Sequence, residues 1–268
     1  MILACKSISK SFGTTEVLSD ISFHINEREK AAIVGINGAG KSTLFKIIMG
    51  EMSLDEGEVI FAKGTSVGYL SQHQDVSGDN TLYEELLTVK KDVIELDKNI
   101  RQMELDMKSK TGDELERMLA TYTRLTHEFE QKNGYAYKSE VTGVLKGLGF
   151  TSEEFDKSVT TLSGGQKTRL SLGKLLLSSP DLILLDEPTN HLDMESITAL
   201  NNGLMKFSGV ILFTSQDHQF VQTIANRIFE ITPNGLIDKV TTYDEYLDND
   251  EFARKRQVMQ IDREDDNN

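Results

Sequence analysis

Apolar residues change their spacing twice along this chain. Over the first 80 residues they gather in short runs separated by turn residues: ILACKSIS, VLSDISFHI, KAAIVGI, GEVIFAK and TSVGYLSQ. That pattern predicts β-strands. One helical stripe interrupts them, in GKSTLFKIIMG, where Leu44, Ile47 and Ile48 share a face and Gly50 supplies the stop. From Leu82 the spacing becomes a seven-residue repeat through Leu86, Val89, Val93, Leu96, Ile100, Met103 and Met107. A turn is predicted at residues 110–113. A second stripe, Leu115, Met118, Tyr122, Leu125 and Phe129, then runs to Asn133 and Gly134, which are good C-cap residues. Two narrow-seamed helices with so short a connection predict an antiparallel hairpin over 82–133. Its first helix would be about 40 Å long at 1.5 Å per residue and is expected to project from the domain that carries it.

After residue 135 the texture becomes α/β. SEVTGVLKGLGF and GGQKTRLSLGKLLLSS read as amphipathic helices, and PDLILLDEP and GVILFTS as buried strands. MESITALNNGLMKF and HQFVQTIANR read as the helices between and after those strands. Strand–helix alternation implies a parallel sheet. The end, residues 249–268, is a charged tail expected to be a helical extension or a frayed terminus.

Composition narrows the function classes. The longest apolar runs, such as LILL at 182–185 and VILF at 210–213, fall far short of the roughly 20 residues of a membrane span. Lys6 comes too early for a secretory leader, and the single cysteine, Cys5, can form no internal disulfide; a cytoplasmic setting is expected. The net charge of −14 opposes nucleic-acid binding by bulk electrostatics, leaving only local basic patches for that purpose.

Chemistry concentrates in three places. Residues 35–42, GINGAGKS, fit G-x-x-x-x-G-K-[ST] between a predicted strand and a predicted helix, which is the context a phosphate loop requires. Gly35, Gly38 and Gly40 let the backbone curl around phosphates, Lys41 reaches the outer phosphates, and Ser42 takes up Mg2+. LILLDEP at 182–188 ends an apolar strand in two acids. Asp186 can hold the Mg2+ shell, and Glu187 can polarise an attacking water. LSGGQ at 162–166 places Ser163, Gly164 and Gly165 at a helix start, an anion receptor, with Gln166 opening the helix.

Together with NHLD at 190–193, these motifs resemble the ATP-binding cassette superfamily over nearly the whole chain. The resemblance implies an α/β P-loop fold with an antiparallel β subdomain, a helical subdomain and the inserted hairpin. The cassette would comprise 1–81 and 134–248. It implies ATP and Mg2+ as ligands, held by Gly35, Ile36, Asn37, Gly38, Ala39, Gly40, Lys41, Ser42 and Thr43. Phe12 would stack on adenine, Gln72 would lie near Mg2+ and the γ-phosphate, and Asp193 would lie in the D-loop. Ser163, Gly164, Gly165 and Gln166 would act on the nucleotide of an opposing cassette, so a second cassette is an implied partner. DEPTNHLD, SGGQKTRL and the hairpin look like the ABC-F family of translation factors, which implies ATP hydrolysis coupled to ribosome binding through the 82–133 arm. ABC-F proteins resemble paired cassettes, and this sequence shows one. The arm carries 12 acids against 9 bases, so contact with RNA would depend on Lys108 and Lys110 near its tip or on shape. The alternatives are an ATPase subunit of a membrane transporter and an ATP-gated interaction module with very slow hydrolysis.

One position departs from that pattern. In FTSQDHQF, Gln216 stands where the family carries a switch histidine, and His218, two residues on, is expected to point elsewhere. An amide donates hydrogen bonds but carries no proton's charge. Charge-assisted bonds contribute about 1.5–3 kcal/mol against about 1 for neutral ones, a loss worth roughly ten- to thirtyfold in rate.

Overall fold

In the first half of the chain, strands β1 (Leu3–Phe12), β2 (Thr15–Ile25) and β3 (Lys30–Val34) precede helix α1 (Lys41–Ile48), followed by β4 (Glu56–Phe61) and β5 (Val67–Tyr69). Along β2 the buried positions Leu18, Ile21, Phe23 and Ile25 are interleaved with exposed ones, as in a strand covered on one face. β1 pairs antiparallel with β2 and β4, giving a three-stranded sheet in the order β2-β1-β4. These are the strands and the helix that the spacing predicts.

The helical segment follows: α2 (Leu82–Leu87), α3 (Lys91–Met107), α4 (Gly112–Gln131), α5 (Tyr137–Gly147) and α6 (Gly164–Ser178). The predicted 40 Å helix is not continuous. A 3-10 turn at Thr88–Lys90 divides it, and the longer piece, α3, extends about 25 Å at 1.5 Å per residue. α2 is held separately. Thr81 and Glu84 form a reciprocal N-terminal cap, and the backbone N–H groups of Leu82 and Tyr83 donate to the carbonyls of Lys157 and Phe155. Leu82 and Leu86 are fully buried, and α2 packs against α5 and α6. The antiparallel pair is therefore α3 with α4, sealed by Val93, Leu96, Ile100 and Phe129 together with Tyr137 at the start of α5. α4 ends as predicted: Asn133 takes a left-handed φ of 53°, and the Gly134 N–H donates to the Phe129 carbonyl at 2.8 Å.

The last segment contains β6 (Leu182–Asp186), α7 (Met194–Lys206), β7 (Val210–Thr214), α8 (His218–Ile224), β8 (Arg227–Thr232), β9 (Gly235–Lys239) and α9 (Tyr243–Leu247). α8 stops at Ile224. Arg227, expected in that helix, instead begins β8 and donates to Glu29 and Asp238 at 2.6–2.8 Å. β8 and β9 form an antiparallel pair that the apolar spacing does not announce. The six-stranded sheet runs β5-β6-β7-β3-β8-β9, parallel except for β9. Its central strand β3, KAAIV, is buried at Ala31, Ala32, Ile33 and Val34, as a parallel strand covered on both faces must be.

This computed structural model describes residues 1–70, 79–190, 192–232 and 235–249. The chain divides into two compact units, Met1–Ser71 with Ser179–Asn268 and Gln72–Ser178. The first unit has one continuous core of Leu3, Ile8, Phe23, Ile33, Phe45, Leu184, Leu212, Phe229 and their neighbours. In the charged tail, residues 250–268 lie outside the described residues.

Candidate functional site

In the first unit, the neighbouring parallel strands β6, β7 and β3 end at one level. Cross-strand register aligns Asp186 with Thr214 and Thr214 with Ile33. The loops that follow leave from the carboxyl edge of the sheet, the general position of ligand sites in open α/β folds. Residues 187, 216 and 35–41 are thereby gathered from three distant stretches of sequence.

The loop after β3 has left-handed φ angles of 146°, 83° and 93° at Gly35, Gly38 and Gly40. Two of these glycines are also required for space. A Cβ at Gly35 would come within 2.8 Å of the Ile231 carbonyl oxygen, and one at Gly40 within 2.7 Å of Leu18 Cδ2. Ile36, Asn37 and Gly38 are exposed, whereas Ala39 is buried beneath them. Lys41 opens α1 and is buried, and its Nζ donates to the carbonyl oxygens of Gly35 at 2.8 Å and Ile36 at 3.0 Å. Burial lowers its pKa, against an opposing pull from Glu187 and Asp186. Ser42, exposed, and Thr43, half-buried, complete the first turn. A left-handed glycine loop around a lysine at a helix start fits a phosphate chain, because it joins backbone donors, a helix N-terminus and one cation.

The acidic pair is ordered by a residue to which the motifs assign no role. Thr214 Oγ1 donates to Asp186 Oδ1 at 2.6 Å and accepts from the Glu187 N–H at 2.9 Å. The polar end of the apolar run VILFT was the one hint in the sequence, and it names no partner. Glu187 takes a left-handed φ of 45°, which costs a residue with a Cβ roughly 1 kcal/mol or more. Such strain at a strand end re-aims the side chain. Burial, with the neighbouring charge of Asp186, raises the Glu187 carboxyl above its ordinary value, although the Gln216 backbone and the charge of Lys41 oppose the rise.

Gln216 also reaches the glycine loop, donating from Nε2 to Asn37 Oδ1 at 3.1 Å. His218 points elsewhere, as expected: its Nε2 lies 3.0 Å from Asp244 Oδ1, and its ring centroid lies 5.2 Å from that of Tyr243. Phe12, at the end of β1, is 49% exposed, with Lys10 Nζ 5.8 Å from its ring centre and tied to Asp55. Asp193 caps α7 by accepting from the Ser196 N–H at 2.7 Å. Gln72 lies outside the described residues.

In the second unit, Ser163 and Gln166 cap the start of α6 reciprocally. The Gln166 N–H donates to Ser163 Oγ at 3.3 Å, and the Ser163 N–H to Gln166 Oε1 at 3.1 Å. Gly164 and Gly165 form the first turn between them, and a Cβ at Gly164 would meet nothing within 4 Å.

A family model described as ABC transporter matches residues 18–190. The ATP-binding protein YdiF of Bacillus subtilis is 43% identical over 266 residues, which are 99% of this chain and 41% of that protein. The tylosin resistance ATP-binding protein TlrC of Streptomyces fradiae is 33% identical over 97% of this chain and 48% of its own length. ABC transporter F family member 5 of Arabidopsis thaliana is 35% identical over 84% of this chain and 33% of its own length. The chain thus spans less than half the length of these relatives. Among solved structures, a nucleotide-free ATP-binding cassette from an ABC transporter superposes with a TM-score of 0.61 at 20% identity, covering 93% of this chain and 96% of that one. That likeness establishes the cassette fold.

Proposed function

Because the chain belongs to the ABC transporter family of ATP-binding cassettes, we propose that it hydrolyses ATP at an interface between two cassettes and acts on the ribosome in the manner of the ABC-F branch. The convergence of the glycine loop, Asp186 and Glu187 at one sheet edge carries the hydrolytic part of this reading. Glu187, held in a left-handed backbone conformation beside Asp186, supports the same reading.

In this reading the chain's groups divide the work. The backbone of residues 35–40 and Lys41 bind the phosphates, and Phe12 supports the base. Lys41 exchanges its hydrogen bonds to the loop carbonyls for phosphate oxygens. Ser42, Asp186 and Gln72 would hold Mg2+, which supplies charge neutralisation along the phosphates when bound. Thr214 holds one oxygen of Asp186, and the carboxylate's second oxygen would be left for the metal. Glu187 accepts a proton from the attacking water at its carboxylate. Ser163, Gly164 and Gly165 would serve the nucleotide of an opposing cassette, and Asp193 would lie at that junction.

The ABC-F assignment is supported by the F-family and tylosin-resistance relatives and by the paired helices α3 and α4 between the positions of Gln72 and Ser163. Gln216 in place of a histidine would slow turnover and prolong the ATP-bound state.

Phosphate release with ATP and Mg2+ should fall by at least a hundredfold in Glu187→Gln, while nucleotide affinity is retained; equal rates would refute hydrolysis at this site. Sedimentation with ribosomes in ATP should be lost when the distal hairpin, residues 103–122, is replaced by a glycine–serine turn. Replacing all of 82–133 would also remove the buried α2 and confound that measurement.

A further inference from the structure

The β1–β2 hairpin ends in one exposed aromatic ring. Phe12 pairs with Thr15 across the turn, where Gly13 takes a left-handed φ of 64°. The ladders thin out at this end. Pairing of β1 with β4 stops at Ser9 opposite Glu56, and the register with β2 is irregular at Lys10 and Ser11, which face Leu18 and Glu16. Asp55, just before β4, takes over. Its N–H donates to the Ser9 carbonyl at 3.0 Å, its Oδ1 accepts from Lys10 Nζ at 2.6 Å, and its Oδ2 accepts from the Ser11 N–H at 2.8 Å. Three consecutive residues are thus tied to one aspartate. The Lys10 ammonium so held lies 5.8 Å from the centre of the Phe12 ring, within cation–π range. We propose that Asp55 and Lys10 are positioning residues for the nucleotide base: Asp55 fixes the strand end, Lys10 covers one face of Phe12, and the base stacks on the other. This inference rests on the reading of Phe12 given above.

The location suits a base. A Cβ on Gly40 of the phosphate loop would stand 2.7 Å from Leu18 Cδ2 and 3.0 Å from Val17 Cγ1, so the loop lies against β2 at the residue that Lys10 faces across the ladder. Phe12 is two residues further along β1, about 7 Å at the rise of a strand. An aromatic platform one strand away from the phosphate loop is where a base joined to those phosphates through a ribose can reach. The chemistry of the tie fits as well. A carboxylate accepts and an ammonium donates, so the Asp55–Lys10 contact has one sense only and no flipped alternative. The Lys10 side chain is 12% exposed, which keeps its charge on the carboxylate and the ring and not in water. A ring ordered beforehand binds a base without the entropic cost of being immobilised by it. The benefit is confined to ligands that carry a base, because residues 35–41 hold the phosphates.

The test uses the full chain and two readouts. In titration calorimetry with Mg2+, Phe12→Ala should weaken ATP binding about tenfold, the worth of one stacked base. Asp55→Ala should weaken ATP about fivefold and tripolyphosphate by less than about twofold, and should add nothing in the Phe12→Ala background. The second readout exploits the absence of tryptophan from the chain: Phe12→Trp supplies a single fluorophore that can be excited apart from the tyrosines. Its emission should be quenched by ATP and not by tripolyphosphate. Its anisotropy in the nucleotide-free protein should fall when Asp55→Ala or Lys10→Met is added. Equal weakening of ATP and tripolyphosphate, losses that add to those of Phe12→Ala, or an anisotropy indifferent to Asp55 and Lys10 would overturn the proposal. Full ATP affinity in Phe12→Ala would instead defeat the reading of Phe12 itself, and the anisotropy would still decide whether Asp55 and Lys10 fix that position.

Discussion

Thr214 is a buried hydroxyl with work on both sides: it donates to Asp186 and accepts from the Glu187 backbone. Thr214→Val keeps the shape and removes both bonds, leaving a carboxylate oxygen and an N–H without their partner. We expect a loss of about 1–3 kcal/mol in denaturant unfolding, and a fall in kcat that Thr214→Ser does not show. The contrast between valine and serine separates hydrogen bonding from volume. Asp186, Glu187 and the glycines were legible as motif residues because their spacing is short and chemically restrictive. Thr214 was not, since a threonine ending an apolar strand has no signature until register places it beside Asp186. Asn37 was expected from the resemblance among the ATP-holding residues, but not as a partner of Gln216. Its bond to Gln216 spans 179 positions and depends on β3 and β7 being neighbours.

At the scale of elements, the seven-residue apolar repeat from Leu82 to Met107 describes both a continuous helix and two helices that share a phase. Packing decided between them. Leu82 and Leu86 are buried with α5 and α6, whereas Val93, Leu96 and Ile100 seal α3 against α4, and the 3-10 turn at Thr88–Lys90 joins the two tasks. Gly173 in α6 permits the first of these. A Cβ there would stand 2.9 Å from Leu148 Cδ1 and 3.2 Å from Leu86 Cδ2. Gly173→Ala should therefore destabilise the protein by about 1–3 kcal/mol, despite alanine's helix propensity. Gly143→Ala in α5, where a Cβ meets nothing within 4 Å, should stabilise it by about 0.5–1 kcal/mol. Thermal or urea unfolding of the two variants checks both signs. The hairpin's other end is set by Tyr122, whose hydroxyl donates to Glu104 at 2.9 Å and fixes the register of α4 on α3.

For the whole molecule, acid stability follows from carboxylates held in ion pairs. Burial alone would raise Glu29 and Glu85, but hydrogen bonds from Asn26 and Arg227 to the first, and from Lys174 and Asn80 to the second, bring both below their ordinary value near 4.5. Protons then bind the unfolded chain more readily than the folded one, so this stabilisation is present above about pH 4.5 and is lost as pH falls below it. The melting temperature should be level from pH 8 to 5 and drop below pH 4.5. Glu29→Gln should lessen that drop; an unchanged acid limb would show that Glu29 contributes nothing to it. The sequence by itself determined the α/β class, the phosphate loop, the acidic pair, the signature turn and the family, because each is a local pattern in which residue type and spacing state the chemistry. Only the tertiary structure decided where the long helix breaks, that β8 and β9 close the sheet, that Thr214 orders the acids and that Gln216 reaches Asn37. Those depend on which strands are neighbours and in what register, and hydrogen bonds between residues so distant in the chain exist only after the sheet is assembled.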